Sequence, residues 1–182
     1  MDKYKSTITD TSKSEDGKKF IESDINVYDF DNFTQDLCSK YRHKHNFYSV
    51  DAIAFSDKNE FWFIEFKNAV KSRVPKKWLR PKAMDSLYTA YFFFNQQYSL
   101  EELKKNSVFI VVYNDDNREE IHKENPSEDF EKLKNKMATF ANVQNETRIL
   151  FDIEDFKGFL YKDVITIGNN EFMEKYASKC HL

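Results

Sequence analysis

Three glycines and three prolines in 182 residues are too few for a flexible linker, a collagen-like repeat or a low-complexity chain. No internal repeat stands out. No apolar run approaches the roughly 20 residues that a helix needs to cross a bilayer. Met1 to Gly17 is polar and charged and does not read as a secretory signal. No glycine-rich phosphate loop is present, which argues against a P-loop enzyme or a Rossmann dehydrogenase. Only two cysteines occur, Cys38 and Cys180. A single disulfide is one reading, and two reduced thiols in a cytoplasmic protein is the preferred one. The formal net charge of -3 counts against a dedicated, non-specific nucleic-acid coat protein.

Aromatic residues are abundant. Eighteen Phe and ten Tyr, within a hydrophobic share of 40%, supply the core of one compact domain spanning residues 1–182. Charge is unevenly spread. Between Phe66 and Met84 there is no acid, while Lys67, Lys71, Arg73, Lys76, Lys77, Arg80 and Lys82 all fall in that stretch. Acids gather elsewhere, as in Asp115 to Glu131. One face can therefore be positive on an acidic protein.

The pattern of apolar residues predicts the elements. Tyr4 to Thr9 reads as a short strand, and Phe20, Ile21, Ile25 and Val27 return to the core. Asp29 can cap a helix carrying Phe30, Phe33, Leu37 and Tyr41 at helical spacing. Phe47–Phe55 and Phe61–Lys67 read as a hairpin across the polar turn 56–59. Pro75 and Pro81 interrupt the basic stretch. Lys82–Gln97 reads as a helix with a broad apolar face, and Ser99 with Glu102 makes a capping box for the next one. The unbroken apolar run Ser107–Tyr113 suits a buried central strand. Beyond it, a helix is expected over about Ser127–Val143, strands over Arg148–Ile153 and Lys162–Ile167, and a helix over Asn170–Lys179. The sum is an α/β domain built around a mixed sheet.

The chemistry concentrates on the hairpin. Side chains alternate along a strand, so Glu65 and Lys67 share a face. Counting outward from a turn near Lys58 sets Asp51 roughly opposite Glu65. Charged groups inside apolar strands are expensive unless paired. Two adjacent carboxylates repel, and a hard divalent cation such as Mg²⁺ or Mn²⁺ relieves the repulsion. The backbone carbonyl of Phe66 offers a further oxygen. Lys67 can then reach a phosphate, orient the attacking water or help take its proton.

Val50-Asp51, a turn, then Phe63-Ile64-Glu65-Phe66-Lys67 resembles the PD-(D/E)xK nuclease superfamily. The resemblance covers about residues 29–114, with 115–182 as C-terminal elaboration. It implies a restriction-endonuclease-like fold, a mixed sheet flanked by helices with an αβββαβ core. The implied activity is metal-dependent hydrolysis of phosphodiester bonds in nucleic acid by Asp51, Glu65 and Lys67, with Asp51, Glu65 and the Phe66 carbonyl on Mg²⁺ or Mn²⁺. Val50 stands where the motif has proline. Many members carry another acid on the first helix, for which Asp36 is preferred over Glu22. The resemblance also implies that Lys82 and Ser86, on the flanking helix, face the phosphate. Lys71, Arg73, Lys76, Lys77 and Arg80 are candidates for backbone phosphates, and Trp78 for stacking on an unpaired base.

Competing readings stay open. Glu65–Lys67 can be a structural ion pair, the basic stretch a solvated loop, and Trp78 a packing residue. His43 and His45 do not share a helical face and read as surface residues. The domain could be a catalytically inactive interaction or immunity-type protein that buries aromatics in a protein partner, or a nucleic-acid binder without cleavage.

Overall fold

The computed structural model describes residues 1–14, 16–45, 47–115 and 149–182. Six strands form one mixed sheet in the order of the chain. They are β1 (Lys5–Thr7), β2 (Asn26–Asp29), β3 (Ala52–Phe55), β4 (Phe61–Lys67), β5 (Ser107–Tyr113) and β6 (Asp163–Gly168). β1 to β4 pair antiparallel, and β4, β5 and β6 pair parallel. The helices are α1 (Ile8–Thr11), α2 (Phe30–Lys40), α3 (Leu79–Phe93), α4 (Leu100–Asn106) and α5 (Asn169–Lys175). The expected helix over 127–143 lies outside the described residues. Among those described, no helix is long and apolar enough to cross a membrane.

Strand alternation divides the core into two layers. Phe61 and Phe63 of β4 face α2 and α3, packing with Phe30, Leu79, Ala83 and Leu87. Trp62, Ile64 and Phe66 face the other way, with Ile8, Phe172 and Ala177. Burying a side chain such as Phe63 contributes about 2 to 3 kcal/mol. Glu65 follows Phe63 on the α3 face and is completely buried. β5 is covered on both faces, as its unbroken apolar sequence requires.

The hairpin forms as its sequence implies. Ala52 pairs with Ile64 and Phe55 with Phe61, so Asp51, one residue before β3, comes level with Glu65. The capping box at Ser99 and Glu102 is complete. Cys38 and Cys180 are free, buried thiols.

Several boundaries differ from the sequence reading. β3 begins at Ala52 rather than Phe47, because the preceding amides are committed elsewhere. Tyr48 N–H donates to Asp85 and Val50 N–H to Ser86 Oγ. α3 begins at Leu79, with Pro81 in its first turn, where a helix asks for no amide donor. It ends at Phe93, and Asn95 and Gln96 follow with left-handed backbones. The described part of the expected strand 148–153 is irregular, with Phe151 and Asp152 at φ of 71° and 58°. The terminal helix stops at Lys175, and Ala177–Lys179 is a separate 3₁₀ turn. α1 was not anticipated; Thr7 caps it by accepting from Asp10 N–H. Between α2 and α3 lie two strands, β3 and β4, where the expected core has three, and the other two antiparallel strands, β1 and β2, precede α2.

Candidate functional site

At the carboxyl end of β4 the antiparallel half of the sheet meets the parallel half. Open α/β sheets commonly bind ligands at such strand ends. Four charged side chains converge there. Glu65 forms the floor and is 0% exposed. Lys67 Nζ lies 2.5 Å from Glu65 Oε1, and Lys82 Nζ lies 2.8 Å from the same oxygen. Lys82 also reaches Asp51 Oδ1 at 3.4 Å. The other Asp51 oxygen accepts the Phe66 amide at 2.6 Å. Lys67 keeps 19% of its side chain exposed and Asp51 21%, so both stand at the rim above Glu65.

α3 orders this rim with one face. Lys82, Asp85 and Ser86 recur at helical spacing. Lys82 takes the Asp51 carboxylate, Asp85 the Tyr48 amide and Ser86 the Val50 amide. Phe30 N–H donates to the Asp51 carbonyl, so α2 fixes the same segment. Asp51 is thereby held by its side chain and by its neighbours' backbone.

The electrostatics follow from crowding. Burial, and then the charge of Glu65, pushes the Asp51 carboxyl up to about 7. Lys82, Lys67 and the Phe66 amide pull it the other way without cancelling the rise. Burial works against the Lys82 ammonium, but Asp51 and Glu65 outweigh it and hold that group above its ordinary value. Glu65 Oε1 makes no hydrogen bond of good geometry, although both ammonium groups are close.

The other expected site residues scatter. Ser86 is fully buried, and its hydroxyl already accepts Val50 N–H, so it lies beneath the surface that a phosphate could reach. Lys76 pairs with Asp152, and Arg80 forms a two-pronged pair with Asp155. Lys71, Arg73 and Lys77 are exposed, and Lys77 lies over the Trp78 ring. Asp36 turns to Lys3 and Tyr4, and Glu22 pairs with Lys19 at the surface.

The helix acid near the site is Asp31. Ser49 Oγ donates to it, and its charge contributes to the rise at Lys82. Five residues separate Asp31 from Asp36, which turns the two about 140° apart around the helix. Sequence inspection passes over Asp31 because an acid in a helix's first turn is ordinary dipole chemistry. The central place of Lys82 had a signal, since it shares the helical face of Ala83 and Ser86 rather than the solvent face.

No cluster of three or more Asp, Glu, His or Cys that could hold a metal occurs among the described residues. What is present is a pair of hard oxygen donors, Asp51 and Glu65, and burial together with their repulsion raises the Asp51 carboxyl. Mg²⁺ characteristically binds through one or two carboxylates and keeps several waters. The donor set fits such an ion and lacks the sulfur or imidazole that zinc prefers. No protein-family model, curated protein or solved structure matches this chain.

Proposed function

We propose that this protein is a metal-dependent nuclease of restriction-endonuclease-like fold that hydrolyses phosphodiester bonds in nucleic acid. The observation that carries this reading is the pairing of Asp51 and Glu65 at the carboxyl end of β4 with two lysines against them. Asp51, Glu65 and the Phe66 carbonyl would hold Mg²⁺ or Mn²⁺. When bound, such an ion supplies an acidic water and neutralises charge on the phosphate.

The chain's own groups do the rest. Lys67, at the rim, positions the attacking water and offers its ammonium to the phosphate oxygens as charge builds. The new bond joins the water oxygen to phosphorus as the bond to the leaving sugar oxygen breaks; the water gives up its proton to solvent, and the leaving oxygen takes one from solvent. Lys82 holds Asp51 and Glu65 at a fixed separation. Lys71, Arg73 and Lys77 supply positive charge for the flanking phosphates.

Lys67→Ala and Glu65→Gln variants should fold and lose Mn²⁺-dependent cleavage of a labelled oligonucleotide. Cleavage persisting in both overturns the proposal. One observation favours a second reading, an inactive interaction or immunity-type domain: both lysines already neutralise Glu65. A closed network of this kind can be purely structural. Mn²⁺ titration separates the two, because a structural network takes up no ion through Asp51 and Glu65.

A further inference from the structure

We infer that the outer face of α3, with the segment before β3, is a stacking track for the unpaired bases of a single-stranded nucleic acid. This deepens the nuclease reading by naming the form of the substrate, and it rests on that reading for the direction in which the strand runs.

The track is a series of exposed rings. Trp78 is 40% exposed, Tyr48 44%, Tyr88 51% and Tyr41 55%. Soluble proteins seldom leave large aromatics open side by side without a use. Ring contacts link them. Tyr48 lies 5.4 Å from Trp78, the adjacent Phe47 lies 5.9 Å from Tyr88, and Phe92 bridges Tyr88 and Tyr41 at 5.4 and 6.4 Å.

One end of the series adjoins the acid site. Trp78 stands one helical turn before Lys82, and Tyr48 stands three residues before Asp51. The other end opens into a cavity of about 590 Å³, lined by the Tyr41 and Phe92 rings, the carboxamides of Asn95 and Gln96, the Lys40 ammonium and the Lys3–Asp36 ion pair. Rings offer a stacking surface to any base, and carboxamides can hydrogen-bond a base edge.

Charge complements the occupant. No acid stands between Asp36 and Asp51, and between Glu65 and Glu101 the sole acid is Asp85. Asp85 is turned to the Tyr48 amide and Asp36 to Lys3. Lys40 lies over the Tyr41 ring and Lys77 over the Trp78 ring, and Arg42 and Lys44 are exposed close by in the chain. A row of rings with a cation over the ring at each end suits a strand with exposed bases and a regular phosphate backbone. A duplex hides its base faces and gains nothing from the rings.

The test is binding in EDTA, where no metal-dependent cleavage occurs. Fluorescein-labelled 12-mers of oligo-dT and oligo-U are compared with a 12-base-pair duplex by anisotropy. The single strands should bind at least about tenfold more tightly than the duplex, and the two arms separate DNA from RNA. Tyr48→Ala and Tyr88→Ala should each weaken binding about tenfold, as for the loss of one stacked base. Both alter exposed rings, and circular dichroism checks that each variant folds. Trp62 is buried, so quenching of tryptophan emission should come from Trp78 and vanish in Trp78→Phe.

Equal or tighter duplex binding overturns the inference, as does wild-type affinity in both alanine variants. Self-association lost in Tyr88→Ala would reassign the face to a protein interface. Mn²⁺-dependent duplex cleavage without single-strand binding removes the track and leaves the acid site standing. Single-strand binding without cleavage in any metal does the reverse.

Discussion

Two sets of ion pairs draw their cations from one stretch of chain, residues 67–82, but differ in their access to water. At the end of β4, Lys67 and Lys82 meet Glu65 and Asp51 with little exposure. Outside, Lys76 meets Asp152 and Arg80 meets Asp155 with about half or more of each side chain in solvent. Water screens the outer pairs, so each contributes little to stability. In the inner set the charges must satisfy one another, and removing one leaves the others stranded. Candidate chemistry therefore lies with the inner four groups, and the outer pairs shape the approach.

The largest expected effect comes from breaking the inner set at its floor. Glu65→Ala strands two ammonium groups and should cost about 3 to 5 kcal/mol in urea unfolding, far beyond any change to an outer pair. Next is Lys82→Met, which leaves Asp51 and Glu65 without their shared cation. It should be destabilised by less, because Asp51 can take up a proton. Mn²⁺ should restore its stability by about 2.7 kcal/mol at a hundredfold excess over Kd. Calorimetry with and without Mn²⁺ checks this, and an equal response in wild type would show that Lys82 does not compete for the site.

The pH response sharpens the contrast further. The folded Asp51 carboxyl stands at about 7, above its ordinary unfolded value of about 3.9. Its contribution is fully present below the unfolded value and is lost as pH rises through the folded one. Urea midpoints should therefore fall between about pH 4 and pH 7 through this group, and Asp51→Asn should flatten that slope. The smallest effect is expected outside. Arg80→Ala should leave the urea midpoint nearly unchanged, with any small shift disappearing in high salt.

Most of the β4 end of the fold was legible in sequence, because local rules decide it. The alternation in Phe63-Ile64-Glu65-Phe66-Lys67 sets which side chains share a face, and hairpin length brings Asp51 level with Glu65. The loss of strand over 47–51 was not legible. It depends on Asp85 and Ser86 reaching back across more than thirty residues to claim amides. Sequence singled out Lys82, but as a phosphate contact; the same distance concealed its pairing with Asp51 and Glu65 and the place of Asp31, which sequence alone does not distinguish from Asp36. Local periodicity names the elements, whereas long-range polar contacts assign the site.

The grip of α3 on residues 48, 50 and 51 has a consequence for the order of folding. A hairpin that pairs first brings Asp51 level with Glu65 while Lys82 is still in the unfolded chain. A hairpin without α3 would carry two facing carboxylates with Lys67 alone to offset them. Docking of α3 supplies the missing cation and captures the loop amides in one step. The acid pair and the packing of α3 over Phe61 and Phe63 therefore depend on one another, because one helix supplies both the cation and the apolar cover.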